Sequence, residues 1–212
     1  YLRQACSQVD EESIQGEHLM LYLPRYHAAF LHIPKCGGMA IRRAIIASGI
    51  SAHGDGYQIG DAQNARETFG PDVRLFTVIR NPVTWYASYW CDRIINGWGG
   101  DLIPGRLCQS NDFERFVRNC LHECYGFVSK ELYPRYMDKN VFIERLEGVP
   151  RSLNSGLRSI GCEEVVEEVL PTNMGSALPV LRERCVLSDD LRQRLIQSEM
   201  PIIERYYQEM LS

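Results

Sequence analysis

Short apolar runs alternate with amphipathic stretches along most of the chain. Four apolar runs have the length and composition of β-strands: 19–23, 28–33, 73–79 and 140–146. Apolar residues at helical spacing predict helices at 39–48, 62–69, 82–95, 112–123, 149–161 and 188–210. This alternation predicts an α/β fold with three αβα layers around a central, mostly parallel sheet.

Two stretches lack either period and predict loops. Residues 96–111 carry several glycines and a proline, and residues 170–179 precede the C-terminal helix, in which Pro201 predicts a kink. The 212 residues fit a single domain, 1–212, with residues 1–18 as a candidate N-terminal extension.

Charge and composition restrict the partners. The net charge is -4 and the sequence pI is about 5.8, which argues against a nucleic-acid-binding protein. No apolar run approaches the roughly 18 residues of a membrane span, so a cytoplasmic protein is expected. The sequence opens at Tyr1 rather than Met, and a trimmed N-terminal anchor would place the domain in the Golgi lumen instead. The oligomeric state is left open.

The eight cysteines are scattered along the chain. The nearest pair, Cys120 and Cys124, has the i,i+4 spacing of a helix rather than a CxxC pattern, so no metal site is expected. An even number of cysteines permits disulfides, but buried thiols in a reduced compartment fit the sequence better.

Between the second strand and the first helix lies HIPKCGG, residues 32–38. Gly37 and Gly38 allow close approach of the backbone to a ligand, and Lys35 supplies a positive charge beside a helix N-terminus. Only three of the 23 basic residues are lysines, so Lys35 is not expected to be a surface residue without a role. The triphosphate loop GxxxxGK[ST] has a different order, and here Met39 and Ala40 give no hydroxyl for magnesium. From these residues alone, an anion cradle and a tight turn are equally good interpretations.

The next strand favours the anion cradle. It ends at Arg80, and Ser88 follows on the predicted helix that Asn81 caps and Pro82 begins. Parallel strands bring their carboxyl ends to one edge of the sheet, where Arg80 can form a forked contact to phosphate and Ser88 can donate a hydrogen bond.

These two motifs together resemble those of sulfotransferases that use 3′-phosphoadenosine 5′-phosphosulfate (PAPS), especially the heparan sulfate 2-O- and 6-O-sulfotransferases. HIPKCGG is similar to their 5′-phosphosulfate loop, and RNPVTWYAS, 80–88, to their 3′-phosphate motif. RLEGV (145–149) and PTNMGS (171–176) resemble later motifs less specifically. The resemblance implies a P-loop NTPase-like sulfotransferase fold, PAPS as the donor, PAP as the product and no metal.

The resemblance also implies residue roles. Lys35 would contact the phosphosulfate, and Arg80 and Ser88 would hold the 3′-phosphate. The 5′-phosphate would lie on the backbone of five loop residues: Cys36, Gly37, Gly38, Met39 and Ala40. The family usually has threonine and serine at positions 39 and 40, so side-chain hydroxyl contacts are lost there.

The acceptor would be a hydroxyl-bearing carbohydrate or small natural product, activated by a general base. His53 is the first candidate because histidine titrates near neutral pH, and Asp61 is the substitute. Trp98, in the glycine-rich loop, is a candidate acceptor contact against the alternative of surface packing. Two other functions stay open, namely a nucleotide kinase of related fold and a catalytically inactive PAPS-binding module.

Overall fold

A computed structural model describes residues 20–53, 60–171 and 177–211. Its centre is a four-stranded sheet in the order β1-β2-β3-β4. The strands are β1 (Leu21–Leu23), β2 (Ala28–Leu31), β3 (Arg74–Ile79) and β4 (Val141–Arg145). Strand β1 is antiparallel to β2, whereas β2, β3 and β4 are parallel, which confirms the predicted α/β class and mostly parallel sheet.

The register places three strand ends at one edge of the sheet. Leu31 pairs with Thr77, and Ile79 pairs with Arg145. The hydroxyl of Thr77 donates to the carbonyl of Leu31 over 2.8 Å and reinforces this pairing. The segments that leave β2, β3 and β4 therefore all start from the same edge, where ligands bind in sheets of this kind.

Nine α-helices lie within the described ranges: α1 (Gly38–Ala47), α2 (Ala62–Phe69), α3 (Pro82–Asn96), α4 (Ile103–Leu107), α5 (Phe113–Glu123), α6 (Arg151–Ser159), α7 (Ala177–Glu183), α8 (Asp189–Ser198) and α9 (Met200–Tyr206). Short 3₁₀ turns occur at Pro24–Tyr26, Tyr133–Arg135, Leu146–Gly148 and Gln208–Met210, and a π-helical turn at Val128–Leu132. None of the helices in the described parts of the chain is long and apolar enough to cross a membrane.

The sheet buries apolar side chains on both faces. Phe30 and Phe76 belong to a core with residues of α1 and α6. Leu31 and Leu75 belong to a second core with residues of α3, α5 and α8. Because successive strand side chains point to opposite faces, helices cover the sheet on two sides.

Helix α3 crosses the second core with four buried aromatic residues. Trp85 and Trp90 are fully buried, and Tyr86 and Tyr89 nearly so. The Trp85 and Tyr89 rings stack with centroids 5.0 Å apart. Aromatic side chains bury the largest apolar areas in a core, so α3 is held firmly against the sheet.

Two predicted loops and one predicted helix were wrong. The predicted loop 96–111 contains helix α4, and part of the predicted loop 170–179 forms the start of α7, while residues 172–176 lie outside the described residues. The C-terminal helix is broken rather than kinked. Pro201 is tolerated in the first turn of α9, where its missing N–H has no helical partner, so the chain restarts a helix there.

Candidate anion-binding site

The turn between β2 and α1 has an unusual backbone. Lys35 has φ of 64° and Gly37 has φ of 75°, both in the left-handed region. That region is unfavourable for a residue with a side chain, so the strain at Lys35 must be held by its surroundings. Gly37 is the N-cap of α1 and provides no capping side chain, which leaves the first N–H groups of α1 without a side-chain acceptor from the cap.

Both glycines of this turn are also required by packing. A Cβ on Gly38 would stand 1.9 Å from the His32 ring, and one on Gly37 would stand 2.7 Å from Leu146. In the first turn of α1, Ala40 is buried and Met39 is partly exposed. The glycines therefore have a steric reason to be there, and the case for a ligand depends on the charged neighbours.

Helix α3 is fastened to the turn at its beginning. Asn81 caps α3 by accepting from the N–H of Val83 over 2.9 Å, as predicted, and Pro82 is the first helical residue. The indole N–H of Trp85 donates to the carbonyl of Pro34 over 2.8 Å. The guanidinium of Arg80 donates from Nη1 to the carbonyl of Lys35 over 3.2 Å. The two motifs that the sequence singled out thus meet in space.

The ammonium group of Lys35 is held by a carboxylate of α3. Its Nζ lies 2.7 Å from Oδ1 of Asp92, and the Lys35 and Asp92 side chains are 23% and 12% exposed. Oδ2 of Asp92 accepts from the guanidinium of Arg93. Burial opposes ionisation of Asp92, but the ion pairs with Lys35 and then Arg93 outweigh it and lower the pKa of this carboxyl.

One face of α3 carries a polar stripe that follows the turn. Thr84, Ser88 and Asp92 are spaced by four residues and share that face. Nε of Arg80 donates to the hydroxyl of Thr84 over 3.1 Å. Ser88 therefore lies between the partner of Arg80 and the partner of Lys35, and its side chain is half-buried.

Tyr133 contacts both motifs, the backbone of Arg80 and the side chain of Cys36. Its hydroxyl accepts from the N–H of Arg80 over 3.1 Å and donates to the carbonyl of the same residue over 2.5 Å. The Cys36 thiol lies 3.4 Å from that hydroxyl. Burial raises the pKa of Cys36 to about 12, so this cysteine is a neutral thiol at the centre of the turn.

The end of β4 reaches the same place. Glu147 accepts from the N–H of Asn81 over 2.8 Å and from the hydroxyl of Tyr207 over 3.1 Å. The RLEGV segment, 145–149, thus supports the start of α3. Segment 172–176 of the fourth motif lies outside the described residues.

The two predicted bases have different surroundings. His53 is exposed, and its backbone pairs with Tyr22 of edge strand β1 over 2.8 and 2.9 Å, on the side opposite β2. At about 4.8 Å per strand, its backbone is roughly 10 Å across the sheet from β2. The carboxylate of Asp61 caps α2 by accepting from the N–H of Asn64 over 2.9 Å. Neither role is tested by this geometry, and both stay predictions.

Trp98 lies at a cleft beyond the Lys35 ion pair. It is partly buried, with its ring tilted against Phe116 at a centroid distance of 5.7 Å. The cleft has a volume of about 450 Å³, and its lining includes Trp98, Arg93 and Arg184. Arg93 donates a hydrogen bond to Asp92, the carboxylate that pairs with Lys35, so the cleft lies next to this ion pair. Trp98 therefore packs against Phe116 and also lines the cleft, so both interpretations of this residue stay open.

Two contributors to the site, Asp92 and Tyr133, were not predicted from the sequence. The i,i+4 series from Thr84 through Ser88 to Asp92 is a signal from which Asp92 could have been found. Tyr133 had no such signal, since it reaches the turn from a segment 53 residues from Arg80. Glu147 lies in RLEGV, a segment that the sequence singled out without giving this residue a role.

Comparisons with protein-family models, with curated proteins and with solved structures each find no significant match. The functional assignment therefore depends on the two motifs and on how the chain arranges them.

Proposed function

We propose that this chain is a PAPS-dependent sulfotransferase with a P-loop NTPase-like sulfotransferase fold. The observation that carries the proposal is the hydrogen bond from Arg80 to the carbonyl of Lys35, which joins the two motifs across 45 residues of sequence. A donor with phosphate groups at both its 5′ and 3′ positions requires two such anion contacts side by side. A triphosphate site would instead need a hydroxyl after the lysine, where this chain has only Met39 and Ala40.

Each group then has a role that suits its chemistry. The backbone N–H groups at the start of α1 bind the 5′-phosphate, helped by the helix dipole. Arg80 and Ser88 bind the 3′-phosphate, the first by a charged fork and the second by a hydroxyl. Lys35 stabilises charge on the bridging oxygen as the sulfuryl group leaves. These groups supply positioning and charge, and no step needs a metal.

Asp92 keeps Lys35 in place before the donor binds. The ammonium has three N–H donors and is partly exposed, so it can turn toward the sulfate of the donor. The ligand and Asp92 then compete for the same cation. Asp92 is thus a positioning residue for Lys35 in this proposal.

The acceptor hydroxyl would enter from the cleft beside Trp98. A carbohydrate or a small natural product fits an opening with one aromatic ring and the two guanidinium groups of Arg93 and Arg184. His53 is the proposed base, with Asp61 as the substitute.

The test compares PAP with AMP, which lacks the 3′-phosphate, by calorimetry. Replacing Arg80 with alanine removes charge-assisted hydrogen bonds of about 1.5–3 kcal/mol, so PAP affinity should fall about 10- to 150-fold. AMP has no 3′-phosphate for Arg80 to contact, so AMP affinity should change by less than about threefold. Arg106→Ala is the matched control, because Arg106 is an exposed arginine in α4. An equal loss for both nucleotides would refute the role of Arg80, and equal wild-type affinity for ATP and PAP would favour the kinase.

A second candidate function is a PAPS-binding module without turnover. The observation in its favour is that His53 pairs with the outer side of the edge strand β1 rather than lying beside β2. A screen of carbohydrate and small-molecule acceptors with labelled PAPS separates the two candidates. Transfer of label supports the enzyme, whereas tight PAP binding without transfer supports the module.

A further inference from the structure

Three cysteines that have no role in the proposed anion site converge in the second core. Cys108 is the residue after α4, and Cys120 and Cys124 lie in the last turns and at the end of α5. Their Sγ atoms all lie within 4.8 Å of one another, and those of Cys108 and Cys124 are 3.8 Å apart. All three side chains are buried. The i,i+4 pair seen in the sequence gains its third member only through the fold.

Each of the three sulfur atoms is close enough to the other two for one ion to contact all of them. Thiols in such an arrangement can lose their protons to a metal ion and bind it as thiolates. Thiolate sulfur is also the ligand that soft metal ions prefer.

The number of ligands indicates which ion fits. Structural zinc sites are almost always four-coordinate, with Zn–S distances of about 2.3 Å. Within the described parts of the chain, the cluster of histidine, cysteine and acidic side chains at this point has three members and no fourth. Cu(I) is a soft ion that accepts three sulfur ligands in a plane, so it suits a buried set of three thiols.

We propose that Cys108, Cys120 and Cys124 form a three-thiolate binding site for a single Cu(I) ion. Binding replaces the thiol protons, which are released to solvent, so the affinity rises with pH. The ion would join the end of α4 to the end of α5. Cys108 is also the last residue of the stretch 97–108, which contains Trp98. A metal bound to Cys108 would therefore stiffen one wall of the cleft.

The site can be measured directly on the reduced, metal-free chain. Under anaerobic conditions, Cu(I) is titrated in competition with bicinchoninate, a chromogenic Cu(I) chelator. We expect one tightly held Cu(I) per chain, and at least a 100-fold weaker affinity in Cys120→Ser. The matched control is the Cys91→Ser/Cys185→Ser double variant, because that pair also places two sulfur atoms 3.5 Å apart. The control should keep the tight site. Unchanged binding in Cys120→Ser, or loss of the site in the control, would overturn the assignment.

Two measurements on the unaltered chain do not depend on how the variants fold. X-ray absorption at the copper edge should show a first shell of three sulfur atoms, and a shell with nitrogen or oxygen ligands would contradict the proposal. Zn²⁺ is titrated in parallel, and tighter retention of Zn²⁺ than of Cu(I) would reject copper as the ion. Intact-mass analysis of the chain before reduction gives a third outcome, since a Cys108–Cys124 disulfide there would show that the cluster is a covalent crosslink instead.

Discussion

Replacing Asp92 with asparagine removes the carboxylate that holds Lys35 and keeps the size of the side chain. In the wild-type chain the two charged atoms are 2.7 Å apart in a partly buried setting. The donor's sulfate must take over the Lys35 ammonium from Asp92. In Asp92→Asn this competitor is gone, so PAPS should bind more tightly without acceptor present.

The size of the effect follows from the geometry. At an effective dielectric constant of about 20, two unit charges at this separation attract by about 6 kcal/mol. Desolvation and the ordering of both side chains offset most of it, which leaves about 1–2 kcal/mol for a pair between the exposed and buried limits. PAPS affinity should therefore rise by about 5- to 30-fold. The free energy of unfolding should fall by a similar amount of about 1–2 kcal/mol.

Calorimetry with PAPS and denaturant unfolding measure the two effects separately. Asp101→Asn is the control for overall charge, since Asp101 is an exposed aspartate in the segment after α3. In a Lys35→Ala background, Asp92→Asn should leave PAPS affinity unchanged, because no ammonium remains to be released. Lower stability with unchanged PAPS affinity in the single variant would refute the competition and leave the ion pair as a purely structural contact.

The same pair predicts a pH dependence of stability. The pKa of Asp92 is lowered in the folded chain, so the unfolded chain binds the proton more readily. The stabilisation is present above the ordinary carboxyl pKa of about 4 and is lost as pH falls through the lowered value. The stability difference between wild type and Asp92→Asn should therefore shrink below about pH 4.

Two more substitutions test the turn and the base. Gly38→Ala should lower the free energy of unfolding by about 2–4 kcal/mol, because its Cβ would overlap the His32 ring, and chemical denaturation measures this. Gly148→Ala, whose Cβ would stand 3.3 Å from its nearest neighbour, should be milder, and equal effects would mean that the ring moves aside freely. His53→Ala should slow sulfuryl transfer about 100-fold or more while PAP affinity holds. His122→Ala, at another exposed histidine, should leave transfer unchanged, and normal transfer in His53→Ala would remove His53 as the base.

The elements could be predicted where local patterns decide them. Asn81 and Pro82 mark the start of α3, and α2 spans the predicted residues 62–69. The break at Pro201 was misjudged because the sequence does not show whether a proline continues a bent helix or begins a new one. That outcome depends on tertiary packing, which local residue preferences do not contain.

The candidate site divides in the same way. Lys35 and Arg80 could be identified because motif order and strand ends place them at one edge of the sheet. The locking contact of Tyr133 could not, since it comes from an irregular segment whose position depends on the whole second core. The cysteine cluster was missed for a similar reason, because Cys108 approaches α5 from a segment predicted to be an irregular loop.

The neutral state of the Cys36 thiol has a consequence for the kinetics of the proposed reaction. As a neutral, buried thiol in the middle of the turn, it cannot act as a nucleophile toward the donor's sulfur. Under the proposed function the sulfuryl group then passes straight from PAPS to the acceptor, with no sulfated enzyme formed in between. Donor and acceptor must be bound together, so initial-rate plots should show intersecting lines rather than the parallel lines of a ping-pong reaction.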